Sequence, residues 1–296
     1  MSRIDESELI INPDGSAFHL HLKPEQVAPN ILLVGDPGRV EMIAGLFDRI
    51  DHMAENREFV SRTGRFRGTS FTVVSTGIGT DNIDIVLNEL DALVNVDFQT
   101  RTVKPELTSL RIVRIGTSGS MQEDLPVDSW VLSRRAIGFD GLLNFYAGGE
   151  QISDPDFENR LVAETGWTDR LTRPYVVKAD EELADALRDE NVHEGVTVSA
   201  PGFYGPQGRV IRLPLHIPAI NERLSDFRFG DERITNYEME CSAIYGLSRL
   251  LGHKAATVCA IIANRKAGTS SYNYKPVVKS LVQYVLDRLS KTTYSW

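Results

Sequence analysis

The stretch Ile31-Leu-Leu-Val-Gly-Asp-Pro-Gly-Arg-Val40 decides the fold class. Ile31–Val34 is an unbroken apolar run, which suits a strand covered on both faces better than one with a wet face. Gly35 ends the run. Beyond the Asp-Pro-Gly-Arg turn, Met42, Ile43, Leu46 and Phe47 fall at helical spacing, predicting a helix over Val40–Phe47. The same pattern recurs downstream. Phe71–Val74 reads as a strand entered from the turn-like Gly64–Gly68 region, and Ile83, Val86, Leu87, Leu90, Leu93 and Val94 trace a helix after it. Ile112–Ile115 reads as a strand ending at Gly116, Trp130–Ile137 as another, and Lys254–Ala263 is almost wholly apolar. A last helix carries Val277, Val278, Leu281, Val282, Val285, Leu286 and Leu289. Strands alternating with helices predict an α/β fold: a single domain with a central mixed, mostly parallel sheet flanked by helices.

No Pro-, Gly- or Ser-rich linker divides the chain, so one domain is expected over 1–296, with an N-terminal tail of about 1–17. Two stretches read as insertions: 98–110, with Pro105 and several threonines, and 209–233, with Pro214 and Pro218 and room for a short helix over the site. A chain of 296 residues buries enough surface to need no disulfide or metal staple. Lys and Arg number 32 against 41 Asp and Glu, a net charge of −9. That balance argues against non-specific nucleic-acid binding, which needs a basic face. Cys241 and Cys259, both in apolar surroundings, read as buried reduced thiols, which points to the cytoplasm. Without nearby His pairs they do not suggest structural zinc. The start of the chain lacks the basic and apolar regions of a secretory signal, and no apolar stretch approaches the roughly 20 residues that span a bilayer. No nucleic acid, membrane or metal partner is expected.

Ligands of open α/β sheets sit beyond the carboxyl ends of the strands. Three Gly-containing stretches fall there and are expected to be turns: Gly35–Arg39, Ser75–Asn82 and Arg114–Ser120. Gly lets backbone N–H groups come close to an anion, and Arg39 and Arg114 supply planar forks suited to phosphate oxygens. Taken singly, each also reads as a tight strand-to-helix turn with a surface arginine. Several motifs are excluded. G-x-x-x-x-G-K-[ST] is absent, the dinucleotide pattern at Gly77 and Gly79 fails at Asn82, and the hydrolase elbow around Ser118 fails at Ser120.

Eight pieces of sequence occur in a telling order: Phe-His-Leu at 18–20, GDPGRV at 35–40, NREF at 56–59, STGIG at 75–79, RIGTSG at 114–119, FYGPQGR at 203–209, YEMECSAIY at 237–245 and Asn-Arg at 264–265. In this the chain resembles a nucleoside phosphorylase of the uridine phosphorylase type, from about Phe18 to the last helix. The resemblance implies reversible phosphorolysis: uridine plus inorganic phosphate gives uracil plus ribose 1-phosphate, with no organic cofactor. It implies that Gly35, Arg39, Arg114 and Thr117 hold phosphate and that Arg57 completes this site from a neighbouring subunit. By the same resemblance Glu240, with Met239 beside it, holds the ribose 2′- and 3′-hydroxyls, and His19 reaches the 5′-hydroxyl of a neighbour's site. Gln207 and Arg209 grip the pyrimidine, with Phe203 packing on it. A homodimer at least is implied, with a hexamer left open. In relatives a monovalent cation sits near a serine, aided by a glutamate matching Glu58. Asn82 stands in place of that serine, so a cation site is not expected.

These residue types suit the chemistry. Breaking a glycosidic bond puts positive charge on the sugar and negative charge on the departing base, and enzymes meet both by positioning and electrostatics. Blander readings of the same residues stand beside this one. Glu240 is equally a helix-start carboxylate, His19 and His21 an edge strand's polar face, and Arg57 and Glu58 a solvated charge pair. Phe203 is equally a loop anchor and Met239 a core residue. The alternatives to a uridine enzyme are a purine nucleoside phosphorylase or nucleosidase of the same fold, and a non-catalytic nucleoside-binding protein. Purine enzymes of this type place a carboxylate after the last core strand, where Ala263–Ser271 has none.

Overall fold

The structure is a computed structural model that describes residues 3–291; residues 1–2 and 292–296 of the expected 1–296 domain lie outside the described residues. β1 (Asn30–Val34) is fully buried, as its unbroken apolar run demands. α1 spans Pro37–Ala44 rather than Val40–Phe47. Pro37 opens it, and Asp36 caps it by accepting the Gly38 N–H at 2.9 Å. A meander follows: β2 (Arg49–Asn56), β3 (Phe59–Phe66) and β4 (Thr69–Ser75). Gly64 lies within β3, so the expected turn narrows to Arg67–Gly68, where both residues have positive φ. α2 (Thr80–Asn95) buries the stripe of Ile83, Val86, Leu87, Leu90 and Leu93. β5 (Val96–Asp97) and β6 (Thr102–Val103) form a small hairpin, β5 just before the first expected insertion and β6 within it.

β7 (Arg111–Ser120) runs straight through the stretch expected to turn at Gly116. Its parallel ladder with β13 (Lys254–Asn264) extends from Lys254↔Arg111 to Asn264↔Ser120. The glycine there makes room instead of a bend: a Cβ on Gly116 would sit 1.7 Å from Nη1 of Arg114 and 2.8 Å from Sγ of Cys259. β8 (Trp130–Gly138) is followed by α3 (Gly149–Ile152), α4 (Pro155–Thr165), β9 (Tyr175–Lys178), α5 (Glu181–Ala186) and β10 (Val192–Ser199). The 209–233 segment carries α6 (Ile220–Asp226) and β11 (Arg228–Phe229) and leads into β12 (Glu232–Glu238). α7 (Cys241–Leu251), β13 with its short partner β14 (Thr269–Ser270), and α8 (Lys275–Ser290) complete the chain.

Ten strands of the 12-stranded sheet run in the order β11-β12-β10-β8-β13-β7-β1-β4-β3-β2, and β9 and β14 pair with β8 and β13 off this path. The central pairs β4–β1–β7–β13 and β8–β10–β12 are parallel, and antiparallel contacts join or flank them. β12 also pairs with β7 through Tyr237↔Gly119 and Asn236↔Ser120, so β7, β13, β8, β10 and β12 close into a ring. α2, α7 and α8 cover one apolar core, and a second lies among Phe157, Leu161, Val198, Leu224 and Tyr237. Among the described residues no helix is long and apolar enough to cross a membrane.

Candidate active site

The central feature is a buried ion pair. Arg114 projects from β7 with 6% of its surface exposed, and its Nη2 contacts Oε2 of Glu240. The same nitrogen lies 3.4 Å from Oε2 of Glu238, and Nη1 lies 3.4 Å from Sγ of Cys259. Burial opposes the charge on Arg114, but Glu240 and Glu238 more than offset it, so its pKa is raised. Arg39, in the first turn of α1, is 9% exposed and donates from Nη1 to the Ile115 carbonyl at 3.0 Å. Its own pKa is lowered, first by burial and then by the neighbouring Arg114 guanidinium. Two like charges are thus held together in a half-dry place that an anion would relieve.

Around them the backbone comes close. Gly35, at the end of β1, lies against the Gly77 carbonyl, 3.3 Å from where a Gly35 Cβ would be. Gly77 and Gly79 adopt φ of 68° and 99°, conformations open to glycine, which lets the Gly79 N–H reach Oε1 of Glu240 at 2.8 Å. Thr117 lies three residues beyond Arg114 on β7 and makes no side-chain hydrogen bond among the described residues.

Glu240 is the N-cap residue of α7, yet its carboxylate does not cap that helix. Glu238 does so, accepting the N–H groups of Glu240 and Cys241, each at 2.9 Å to Oε2. Glu240 thus stands at the helix start, as its position in sequence suggested, but the hydrogen-bonding cap is Glu238, a residue not singled out from the sequence. Burial raises the Glu238 pKa, Arg114 opposes that rise, and the nearby Glu240 charge adds to it. Ser199 donates to Glu238 and accepts the Ser242 N–H at 2.8 Å. Ser242 and Tyr175 both donate to Asp140. Met239, half-buried, lies between the two glutamates in sequence.

A second cluster gathers Phe203, Gln207 and Arg209. Gln207 is 3% exposed, and Oε1 accepts from Arg209 at 2.6 Å and from Arg265 at 2.7 Å. The Arg209 guanidinium lies 3.8 Å over the Phe203 ring, which is itself 52% exposed. Arg265 stacks 4.8 Å over Tyr237, and burial together with Arg209 pushes its pKa down to about 10. Arg265 was not picked out as a site residue, although the Asn-Arg pair at 264–265 carried the signal. β7 and β12 tie the clusters together. Arg114 and Gly119 share β7, the Arg265 side chain passes by Gly119, and Tyr237 lies one residue before Glu238.

His19 and Arg57 make no hydrogen bond or ion pair with these clusters among the described residues. The 18–20 segment is a turn rather than an edge strand, because Glu89 on α2 accepts both the His19 and Leu20 N–H groups and binds Nδ1 of His19 at 2.6 Å. Asn56 donates to the His19 carbonyl at 2.9 Å, which brings the turn to the β2–β3 hairpin. Arg57 sits exposed at that hairpin's tip with φ of 55°. It makes no ion pair among the described residues, so the solvated-pair reading with Glu58 does not hold. The tip adjoins the 75–82 turn: Cγ of Glu58 lies 3.1 Å from where a Gly77 Cβ would be.

Comparison with known proteins finds related sequences and structures over most of the chain. A sequence profile of the phosphorylase superfamily matches residues 29–289. A uridine phosphorylase of Thermococcus kodakarensis is 30% identical over 252 residues, covering 85% of this chain and 79% of that protein. A guanosine phosphorylase of Halorubrum lacusprofundi is 29% identical over 250 residues, 84% of each chain. The solved structure of a Trypanosoma brucei nucleoside phosphorylase, described as showing uridine phosphorylase activity, superposes with a TM-score of 0.87 at 31% identity. It covers 96% of this chain and 100% of its own.

Proposed function

This chain belongs to the phosphorylase superfamily, and from that premise we propose that it cleaves uridine with inorganic phosphate, giving uracil and ribose 1-phosphate. The observation that carries the proposal is the Arg114–Glu240 pair with Arg39 beside it. It sets an anion site directly against a carboxylate able to accept two adjacent hydroxyl protons. A phosphate on Arg39 and Arg114, with Gly35 and Thr117 beside it, would lie against a ribose whose 2′- and 3′-hydroxyls meet Glu240.

In this reading a phosphate oxygen bonds to C1′ as the C1′–N1 bond breaks, and the bonding pair leaves with the base. The phosphate is both nucleophile and counter-charge to the electron-poor sugar. Negative charge gathers on the uracil oxygens, where Gln207, Arg209 and Arg265 supply donors. Arg265 carries its charge at a cost when the site is empty, so an anionic base is stabilised more than a neutral one. Phe203 and Met239 would pack on the base and the sugar.

His19 and Arg57 serve a neighbouring subunit in this proposal. They share one exposed corner, bound through Asn56, and neither bonds to the clusters of its own chain. The smallest active unit is then a homodimer, a hexamer being a larger arrangement of the same contact. A cytoplasmic location fits the two buried free thiols.

Initial rates with uridine in phosphate and in phosphate-free buffer test the proposal. Uracil and ribose 1-phosphate are expected to form in equal amounts, and only with phosphate. Equal uracil release without phosphate would mark a hydrolase and overturn it.

A further inference from the structure

A cavity of about 720 Å³ lies beside the base cluster, between the 201–220 segment and the 167–172 loop. The clusters described above use it only at its edge, through Arg209. Its walls are apolar: Phe139 and Trp167 pack with ring centroids 4.4 Å apart, and Leu171, Leu215 and Ile217 continue the surface. Ile211 and Leu213 stand 77% and 73% exposed along it, although both are large apolar side chains. Such a surface, in a volume typical of small-molecule sites, favours an apolar occupant.

The polar lining is one-sided. Arg170, Arg209, Arg212 and His216 face the cavity, and no carboxylate does, in a chain whose net charge is −9. Neither Arg170 nor Arg212 makes an ion pair or hydrogen bond among the described residues. Unpaired guanidiniums around an apolar floor complement an anion whose body is hydrophobic.

We propose that this cavity is a second ligand site, for a small amphiphilic anion consisting of an aromatic body that carries one carboxylate or sulfonate. The rings pack against Phe139 and Trp167 while the acid meets Arg170 and Arg212. Such an occupant also regulates the base cluster. Arg209 lines the cavity and at the same time donates to Oε1 of Gln207, so an anion in the cavity competes for that guanidinium. Binding at the cavity opposes binding of the nucleoside and leaves phosphate unaffected, because Arg39 and Arg114 do not line it. This kinetic consequence rests on the proposed phosphorolysis; the binding itself does not.

The probe is 8-anilinonaphthalene-1-sulfonate, which fluoresces when taken out of water, titrated into the full chain. Its neutral analogue N-phenyl-1-naphthylamine is the charge control. A saturable rise is expected for the sulfonate, with affinity about tenfold lower in the Arg170→Ala/Arg212→Ala variant. The variant's activity without probe stays at the wild-type level, which shows that it folds. The neutral analogue binds at least about tenfold more weakly than the sulfonate. In steady-state assays the sulfonate raises the apparent KM for uridine and leaves that for phosphate unchanged. Absence of a saturable rise, equal affinity in the variant, or equal affinity of the neutral analogue overturns the site. Inhibition competitive with phosphate overturns it too, since the probe would then be a phosphate mimic at Arg39 and Arg114. Loss of all phosphorolysis with fluorescence binding intact counts against the catalytic proposal alone.

Discussion

Arg114→Met separates what this residue does for stability from what it does for catalysis. The arginine is the cation for two carboxylates whose side chains are 5% and 1% exposed, Glu240 and Glu238. Methionine fills most of its volume but leaves both carboxylates buried and unpaired. Breaking a buried pair from one side typically costs about 3–5 kcal/mol. At about 2 °C per kcal/mol for a chain of this size, Tm should fall by roughly 6–10 °C. Arg114→Met/Glu240→Gln neutralises the nearer carboxylate and keeps an acceptor for the Gly79 N–H, so at least half of the lost Tm should return. Activity should not return with it. The double variant still lacks a charge-assisted phosphate contact worth about 1.5–3 kcal/mol, or about 10- to 150-fold in phosphate affinity. Differential scanning calorimetry and initial rates at varied phosphate read the two effects independently. An unchanged Tm in the single variant, or a double variant no more stable than the single, would refute the buried-pair reasoning. An unchanged KM for phosphate in Arg114→Met would remove this residue from the phosphate site.

Three further outcomes follow from the geometry. Arg265→Met should lower kcat/KM for uridine at least about tenfold and leave KM for phosphate in place, because it removes one of the two donors on Oε1 of Gln207 and a positive charge near the departing base; steady-state kinetics with each substrate varied in turn checks this. Mixing inactive Arg57→Ala with inactive Glu240→Ala under conditions of subunit exchange should restore part of the activity, since one hybrid site then holds both residues; proven exchange without activity rules out a shared site. Uridine should exceed inosine, adenosine and guanosine in kcat/KM by about 100-fold or more, because no carboxylate stands in Ala263–Ser271 to protonate a purine; equal turnover of any of the three in a substrate panel would end the pyrimidine assignment.

Much of this protein was written in local sequence. Ile31–Val34 and Lys254–Ala263 can be stable only where both faces are covered, so a helix-sheathed, largely parallel sheet follows from their composition. The stripe from Ile83 to Leu93 needs one apolar partner surface, and α2 has it. Arg39 and Arg114 stood out beside Gly-containing stretches, and Gln207 and Arg209 lie in a Gly-rich loop where packing does not explain them, but Glu240 entered only through the resemblance, since locally it reads equally as a helix-start carboxylate. Tertiary structure decided what depends on distant partners. Gly116 reads locally as a strand end, yet β7 runs on because the glycine leaves space for Arg114 between paired strands. Glu238 and Glu240 are the same residue type two positions apart, and sequence cannot say which one caps α7 and which one lies nearer to Arg114. That choice is made by where β7 and the Gly79 turn lie relative to the helix. Arg265 joins Gln207 across 58 positions of chain, and His19 depends on Glu89, 70 positions away. Local propensity carries no information over such separations, because the closing contacts exist only once the sheet has brought β7, β12 and β13 together.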